Sequence, residues 1–107
     1  MSFSVRLAID TGGEYNATIA DVGDPTYNMA PMFTKALGES IRELDGRTAA
    51  DVVKQLEEAC YDMDERPSIY EALNPPNGWG SYTGARQFLS RFLGLCRDHP
   101  KATVEVR

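Results

Sequence analysis

The chain has 107 residues, 42% of them hydrophobic and 25% charged, a composition that fits a single globular domain over residues 1–107. Sixteen acidic residues against eleven Lys and Arg give a net charge of -5, which excludes general binding to nucleic acids or anionic membranes. The sequence shows neither the long apolar run of a transmembrane helix nor a signal-peptide pattern, so we expect a cytoplasmic protein without membrane contact.

The beginning of the chain has the pattern of a β-hairpin. Apolar residues alternate with polar or small ones over 3–9, a period of two that places one apolar row on one face of a strand. Turn residues follow at 11–14, and a second alternation over 15–20 predicts an antiparallel partner strand. At the other end of the chain, an alternation over 102–107 predicts a third strand that pairs with one edge of this hairpin.

Helical spacing begins after a turn at 23–25. Asn28 is a suitable N-cap for the first helix, because it leaves Pro31 in the first turn, where a missing N–H has no cost. This helix either ends at Gly38 or continues with a kink as far as residue 45, and the sequence leaves both alternatives open.

Two longer helices follow. Thr48 and Asp51 resemble a capping pair at the start of the second helix, whose apolar residues form a stripe at spacings of three and four. A short helical segment is expected at 68–73. Ser81 is expected to cap the last helix, which ends before Pro100.

This order of elements predicts an α+β fold. We expect a three-stranded antiparallel sheet, built from the N-terminal hairpin and the C-terminal strand, with about three helices packed on one face. Arg6, Thr18 and Glu105 would make the other face polar, which indicates contact with solvent. A homodimer nevertheless remains an alternative, because unpaired edge strands of two copies can pair with each other.

Residues with catalytic chemistry are few. His99 is the only histidine, and its place at a helix end before a proline favours a capping role. Cys60 and Cys96 fall on apolar helix stripes, which favours buried reduced thiols over a disulfide or a nucleophile. One His and two distant Cys do not have the spacing of a metal site, so we expect no catalytic residue, no metal and no cofactor.

Two segments differ from ordinary helices and strands. Residues 24–28 lead into a helix start, where free N–H groups can bind an anion or a carbonyl. Residues 74–82 place the only tryptophan between two glycines, where Trp79 either covers the core or offers a flat contact surface. The predicted partner-binding or ligand-binding residues are Asp24, Thr26, Tyr27, Asn28, Asn77, Trp79 and Tyr82.

These segments resemble a group of small uncharacterised proteins from bacteriophages and bacterial genomes. The features that carry the resemblance are a Thr-x-Asn helix start at 26–28, an Asn-Pro-x-Asn-Gly-Trp-Gly loop at 74–80, and a closing helix that ends in Cys-Arg-Asp-His-Pro at 96–100 before a Val-Glu-Val strand. Members typically have His at the position of Tyr27. The resemblance implies a phage or prophage setting, and so a host cytoplasm, and a compact α+β fold, but it implies no activity.

The leading hypothesis is a non-enzymatic accessory protein of phage type that binds a host protein or a small ligand through these two segments. A sponge for a nucleotide signal is one alternative, although neither segment has clustered Arg or Lys. An acidic decoy that mimics DNA is another, motivated by the net charge and by Glu57 and Glu58. The third alternative is an enzyme, with Asp24, Tyr27 and His99 as its only candidate residues.

Overall fold

A computed structural model describes all 107 residues of the protein. Short 3-10 turns at Tyr27–Met29 and Ile41–Leu44 lie between longer elements. The predicted α+β class is confirmed, with four helices where about three were expected. In chain order, the strands and α-helices are β1 Val5–Ile9, β2 Ala17–Gly23, α1 Ala30–Leu37, α2 Ala49–Glu65, α3 Pro67–Glu71, α4 Tyr82–Asp98 and β3 Thr103–Val106.

The sheet has the order β2-β1-β3, and both neighbouring pairs are antiparallel. β1 is central because the C-terminal strand returns to pair with it, which places Val5 opposite Val106 and Leu7 opposite Val104. All four of these side chains are buried. Of the apolar row predicted for the first strand, Phe3, Val5 and Leu7 therefore face the core, whereas Ile9 is exposed. The packing of the helices on an antiparallel sheet is confirmed.

The second strand differs from the predicted alternation. β2 begins at Ala17, and two register shifts against β1 leave Ile19 and Val22 without opposite residues. Such bulges re-aim the side chains of the strand that contains the extra residue. Val22 is buried, whereas Ile19 and Tyr15 are exposed, so the apolar row expected over 15–20 does not join the core.

One hydrophobic cluster joins the sheet to the helices. The apolar stripes of α2 and α4 supply many of its large side chains, and both predicted stripes are confirmed. Phe33 of α1 packs on Phe88 of α4, with ring centroids 5.4 Å apart. None of the helices combines the length and the apolar character that crossing a membrane requires.

The two cysteines lie within these stripes. Cys60 and Cys96 are both free and buried, as expected from their positions in the sequence. Burial raises the pKa of both thiols, that of Cys96 to about 12. Neither side chain is therefore a ready thiolate nucleophile at neutral pH.

The end of the first helix is decided by one glycine. Gly38 adopts the left-handed conformation, with a φ angle of 81°, directly after Leu37. The kinked continuation, one of the two alternatives, does not form. Residues Ile41–Leu44 instead form a separate 3-10 turn, in which Ser40 Oγ accepts a hydrogen bond from the Arg42 N–H.

The starts of the two long helices are capped differently. Ser81 caps α4 as predicted, since its hydroxyl oxygen accepts a hydrogen bond from the Gly84 N–H at 3.0 Å. Thr48 precedes α2, but its side chain makes no capping hydrogen bond, so the predicted pair with Asp51 is wrong. The first two amides of α2 donate instead to the carbonyls of residues 102 and 100, at 2.7 and 3.0 Å. The turn before β3 thus supplies the cap.

Candidate functional site

The two segments singled out in the sequence meet in space. Gly80 packs so closely against the 3-10 turn that a β-carbon on it would lie 2.7 Å from Met29 Cγ and 3.1 Å from Thr26 Cγ2. Its φ angle of +116° is also one that other residues rarely adopt. A glycine at this position therefore lets the 74–82 loop and the 24–28 turn form one surface.

Asparagine side chains fix the shape of the loop. Asn77 Oδ1 accepts a hydrogen bond from the Trp79 backbone N–H at 2.9 Å, an Asx turn, and Asn74 Oδ1 accepts one from the Tyr82 N–H at 2.8 Å. Asn77 Nδ2 also approaches Asn28 Oδ1 of the facing segment at 3.5 Å. The loop is consequently tied both to itself and to the 3-10 turn.

Trp79 projects from this frame into solvent. Its side chain is 66% exposed, and the residue donates a hydrogen bond within the protein through its backbone N–H but not through its indole N–H. Asn28 and Asn77 are exposed beside the same junction. Of the two alternatives for Trp79, the structure therefore shows an outward-facing residue and not a plug of the core. We refer to Asn28, Asn77 and Trp79 as the indole patch.

The indole patch belongs to charge-free stretches of the chain. Residues 25–34 and 72–85 contain no Asp, Glu, Lys or Arg, although 25% of the whole chain is charged. A surface without ionic groups does not attract a partner through long-range electrostatics, and no charge has to lose its hydration when a partner binds. Its chemistry is that of an aromatic ring flanked by amides.

Tyr27 has a packing role next to this patch. Its ring meets Phe3 edge to face, with centroids 4.6 Å apart. The guanidinium of Arg42 covers both rings, 4.9 Å from the Phe3 centroid and 5.3 Å from that of Tyr27. Tyr27 is half-buried as a result, and the 3-10 turn is anchored to the N-terminal strand.

The helix start at Asn28 is not an open anion site. Thr26, and not Asn28, is the capping residue, because its hydroxyl accepts from both the backbone N–H and the side-chain amide of Asn28. The next two N–H groups donate to the carbonyls of Thr26 and Tyr27, and Pro31 has none. The expectation of free N–H groups at this end is therefore wrong, because backbone and side-chain oxygens already occupy them.

Tyr82 contacts α2 and α3. Its hydroxyl donates to the carbonyl of Met63 at 2.7 Å, and its half-buried ring lies 6.4 Å from that of Tyr70. Burial raises the pKa of Tyr82. The structure thus gives this residue a bracing contact between α4 and the end of α2, separate from the partner-binding role predicted from sequence.

His99 lies far from the other two candidates for enzyme chemistry, Asp24 and Tyr27. Asp24 is exposed in the turn after β2, close in the chain to the half-buried Tyr27. His99 follows the opposite end of α4, a helix of 17 residues and therefore about 25 Å long. Gly80, which contacts the 24–28 turn, precedes the first residue of that helix. No arrangement of acid, base and nucleophile results.

Three of the six acidic residues of α2 form ion pairs with arginine. These ion pairs join Glu57 with Arg97, Asp62 with Arg66, and Asp64 with Arg86, at 3.1, 2.8 and 2.8 Å. Hydrogen bonds from the arginines lower the pKa of Asp62 and Asp64, and the Tyr70 hydroxyl lowers that of Asp62 further. Sequence alone showed the acids on a helix face but not their distant partners.

A shallow groove of about 640 Å³ lies between the end of α1 and α2. Its walls carry charges of both signs, including Lys35, Glu58 and Arg66, and the 68%-exposed ring of Tyr61. The groove is not evident from the sequence, because its walls come from separate helices. An aromatic residue on the polar face of α2 was the one available signal. Trp79 does not line it, so the indole patch lies outside this groove.

Comparison with protein-family models, with curated proteins and with solved structures finds no match for this chain. The interpretation of the site therefore depends on its own geometry. That geometry brings together Asn28, Asn77 and Trp79 with Thr26 beneath them, and it assigns Tyr27 and Tyr82 to packing.

Proposed function

We propose that this protein is a non-enzymatic binding protein that docks to another protein through the indole patch. The observation that carries the proposal is Trp79, a largely exposed tryptophan on a loop whose backbone is fixed by hydrogen bonds. Tryptophan is enriched among the residues that dominate binding energy at protein interfaces. A fixed loop also loses little conformational entropy when a partner binds.

The exposure of Trp79 and its position outside the groove favour a protein partner over a small ligand. Small-molecule sites are concave and enclose most of the ligand surface, whereas the one groove of the molecule lies elsewhere, between α1 and α2. A nucleotide signal is disfavoured further because neither segment of the patch contains a cation to pair with phosphate. The resemblance of the loop to phage proteins supports a partner in a host cytoplasm.

The acidic-decoy alternative has less support. A DNA mimic needs a row of unpaired negative charges, whereas Glu57, Asp62 and Asp64 of α2 are each paired with an arginine and, of the two residues that motivated this alternative, only Glu58 has no ion pair. An enzyme also has less support, since Asp24, Tyr27 and His99 do not converge.

Affinity capture from host-type bacterial lysate tests the proposal when three baits are compared. The wild-type protein and a Tyr61→Ala control, which removes an aromatic side chain of almost equal exposure, should retain the same partner. The Trp79→Ala bait should lose it. Recombinant partner should then change the fluorescence of Trp79, the only tryptophan of the chain. Equal capture by all three baits would contradict the proposal.

A further inference from the structure

The two edges of the sheet differ in how well they are covered. Along β3, the backbone N–H of Val104 donates to the Arg47 carbonyl at 2.8 Å, so the segment before α2 covers this edge. β2 has only β1 beside it. On its outer side, Arg91 Nη1 donates to the Val22 carbonyl at 3.2 Å, near the end of the strand. The stretch Ala17–Asp21 therefore directs backbone N–H and C=O groups outward without a partner in the protein.

The hairpin of β1 and β2 ends outside the layer of helices. Every residue from 9 to 19 is exposed, although side chains that alternate along a strand point to opposite faces, so neither face of this end is covered. Three of the seven large apolar side chains that the protein exposes lie here, at Ile9, Tyr15 and Ile19. We refer to residues 9–21 as the hairpin arm. Two uncovered strands are marginally stable in water, so a further strand would stabilise the arm.

The charged residues of the hairpin arm are all acidic. They are Asp10, Glu14 and Asp21, and none of the three forms an ion pair. The chain contains no Lys or Arg over residues 7–34. Arg6 lies opposite Asp21 in the sheet, but its ion pair is with a glutamate of β3. The arm therefore attracts a basic partner and repels an identical arm.

We propose that the free edge of β2 in the hairpin arm binds an extended basic segment of a partner protein, which adds to the sheet as a fourth strand. Strand addition satisfies the outward backbone groups of Ala17–Asp21. Apolar side chains of the segment would contact those that the arm exposes, and its Lys or Arg side chains would pair with the carboxylates of the arm.

A second copy of this protein fits the edge less well. Its own arm is acidic, and the two register shifts of β2 disfavour the pairing of two folded edges. A flexible segment can follow an irregular edge, because its backbone adjusts as it binds. The hairpin arm lies outside the indole patch, so this inference goes beyond the proposed function and does not depend on it.

Titration of the isotope-labelled protein with a blocked peptide of four Val-Lys repeats tests the inference, with backbone amide NMR signals as the measurement. We expect shifts concentrated in the hairpin arm and slower hydrogen exchange at amides within Ala17–Asp21, since outward N–H groups gain acceptors. The dissociation constant should rise at least about threefold between about 0.05 M and 0.5 M sodium chloride. A Val-Glu peptide of the same length should not bind.

Three results would overturn the inference. The first is an absence of shifts in the hairpin arm at millimolar Val-Lys peptide. The second is equal binding of a Gly-Lys peptide, which keeps the charge but has neither apolar side chains nor a preference for strands, because this would show attraction without strand addition. The third is a dependence of the arm signals on protein concentration before peptide is added, which would assign the edge to a second copy.

A matched pair of variants tests the charge of the arm. Asp21→Asn removes an unpaired carboxylate from β2, so the Val-Lys peptide should bind about twofold to fivefold more weakly. Asp51→Asn makes the same change in the first turn of α2, which adjoins the covered edge of the sheet, and should bind like the wild type. Equal affinities in the two variants would place the peptide outside the hairpin arm.

Discussion

Gly80 and Met29 are in such close contact that a β-carbon on Gly80 would lie 2.7 Å from Met29 Cγ. This contact joins the loop of Trp79 to the 3-10 turn of Asn28, and it is the reason that the indole patch exists as one surface. Replacement of Gly80 should therefore disturb both the stability of the fold and the geometry of the patch.

Gly80→Ala should lower the free energy of unfolding by about 2 kcal/mol, because it combines a clash with an unfavourable φ of +116°. Urea unfolding measures this loss. Gly78→Ala is the matched control, because its φ is +76° but nothing lies within 4 Å of the added atom. This variant should lose only the about 1 kcal/mol that the left-handed backbone conformation costs an alanine. Equal losses in the two variants would mean that the Met29 contact is not tight.

Trp79→Ala should change the free energy of unfolding by no more than about 0.5 kcal/mol, since an exposed side chain contributes little to the core. Thermal or urea unfolding provides the measurement. Phe92→Ala, which removes a fully buried ring from α4, should by comparison cost about 3–5 kcal/mol. A large loss in Trp79→Ala would show that the indole is part of the core after all.

Tyr82→Phe should lower the free energy of unfolding by about 1 kcal/mol, because it removes the hydroxyl that donates to the Met63 carbonyl. Partner binding should be unchanged, since this hydroxyl faces the end of α2. Tyr15→Phe, on an exposed side chain of the hairpin, should alter neither property. Weaker partner binding by Tyr82→Phe at unchanged stability would return Tyr82 to the contact surface.

Acid should destabilise the protein partly through Asp62. Hydrogen bonds from Arg66 and then from the Tyr70 hydroxyl lower the pKa of Asp62 below its ordinary value of 3.8. As the pH falls, Asp62 therefore binds a proton in the unfolded chain before it does so in the folded protein. The contribution of Asp62 to stability is complete above its pKa in the unfolded chain, and it is lost as the pH falls through its lower pKa in the folded protein.

Urea unfolding measured from neutral pH to about pH 2 checks this dependence. Asp62→Asn should be less stable than the wild type near neutrality and should lose less stability on acidification. Glu58→Gln, at a neighbouring site on α2 without an ion pair, is the control and should follow the wild-type profile. An unchanged acid slope in Asp62→Asn would assign the acid sensitivity to other carboxylates.

Local patterns predicted most of the elements. The apolar row at Phe3, Val5 and Leu7 and the stripes of α2 and α4 are confirmed, and so is the Ser81 cap, but Ile9 at the end of the row is exposed. The failures occurred where a distant segment supplies a partner. The cap of α2 comes from carbonyls near β3, and the bulges of β2 depend on its register with β1.

The same distinction between local patterns and contacts with distant segments applies to the candidate site. Its segments were identifiable because a tryptophan between glycines and a Thr-x-Asn helix start are unusual in composition. The approach of Asn77 to Asn28 and the bracing role of Tyr82 were not identifiable, because they depend on contacts across the fold.

Sequence by itself determined the α+β class and the content of the core, because the spacing of apolar residues limits which side chains one face of a helix or strand can bury together. Only the tertiary structure decided that Gly80 docks on Met29 and that Trp79 remains in solvent. Packing between segments far apart in the chain selects those contacts, and no local periodicity encodes it.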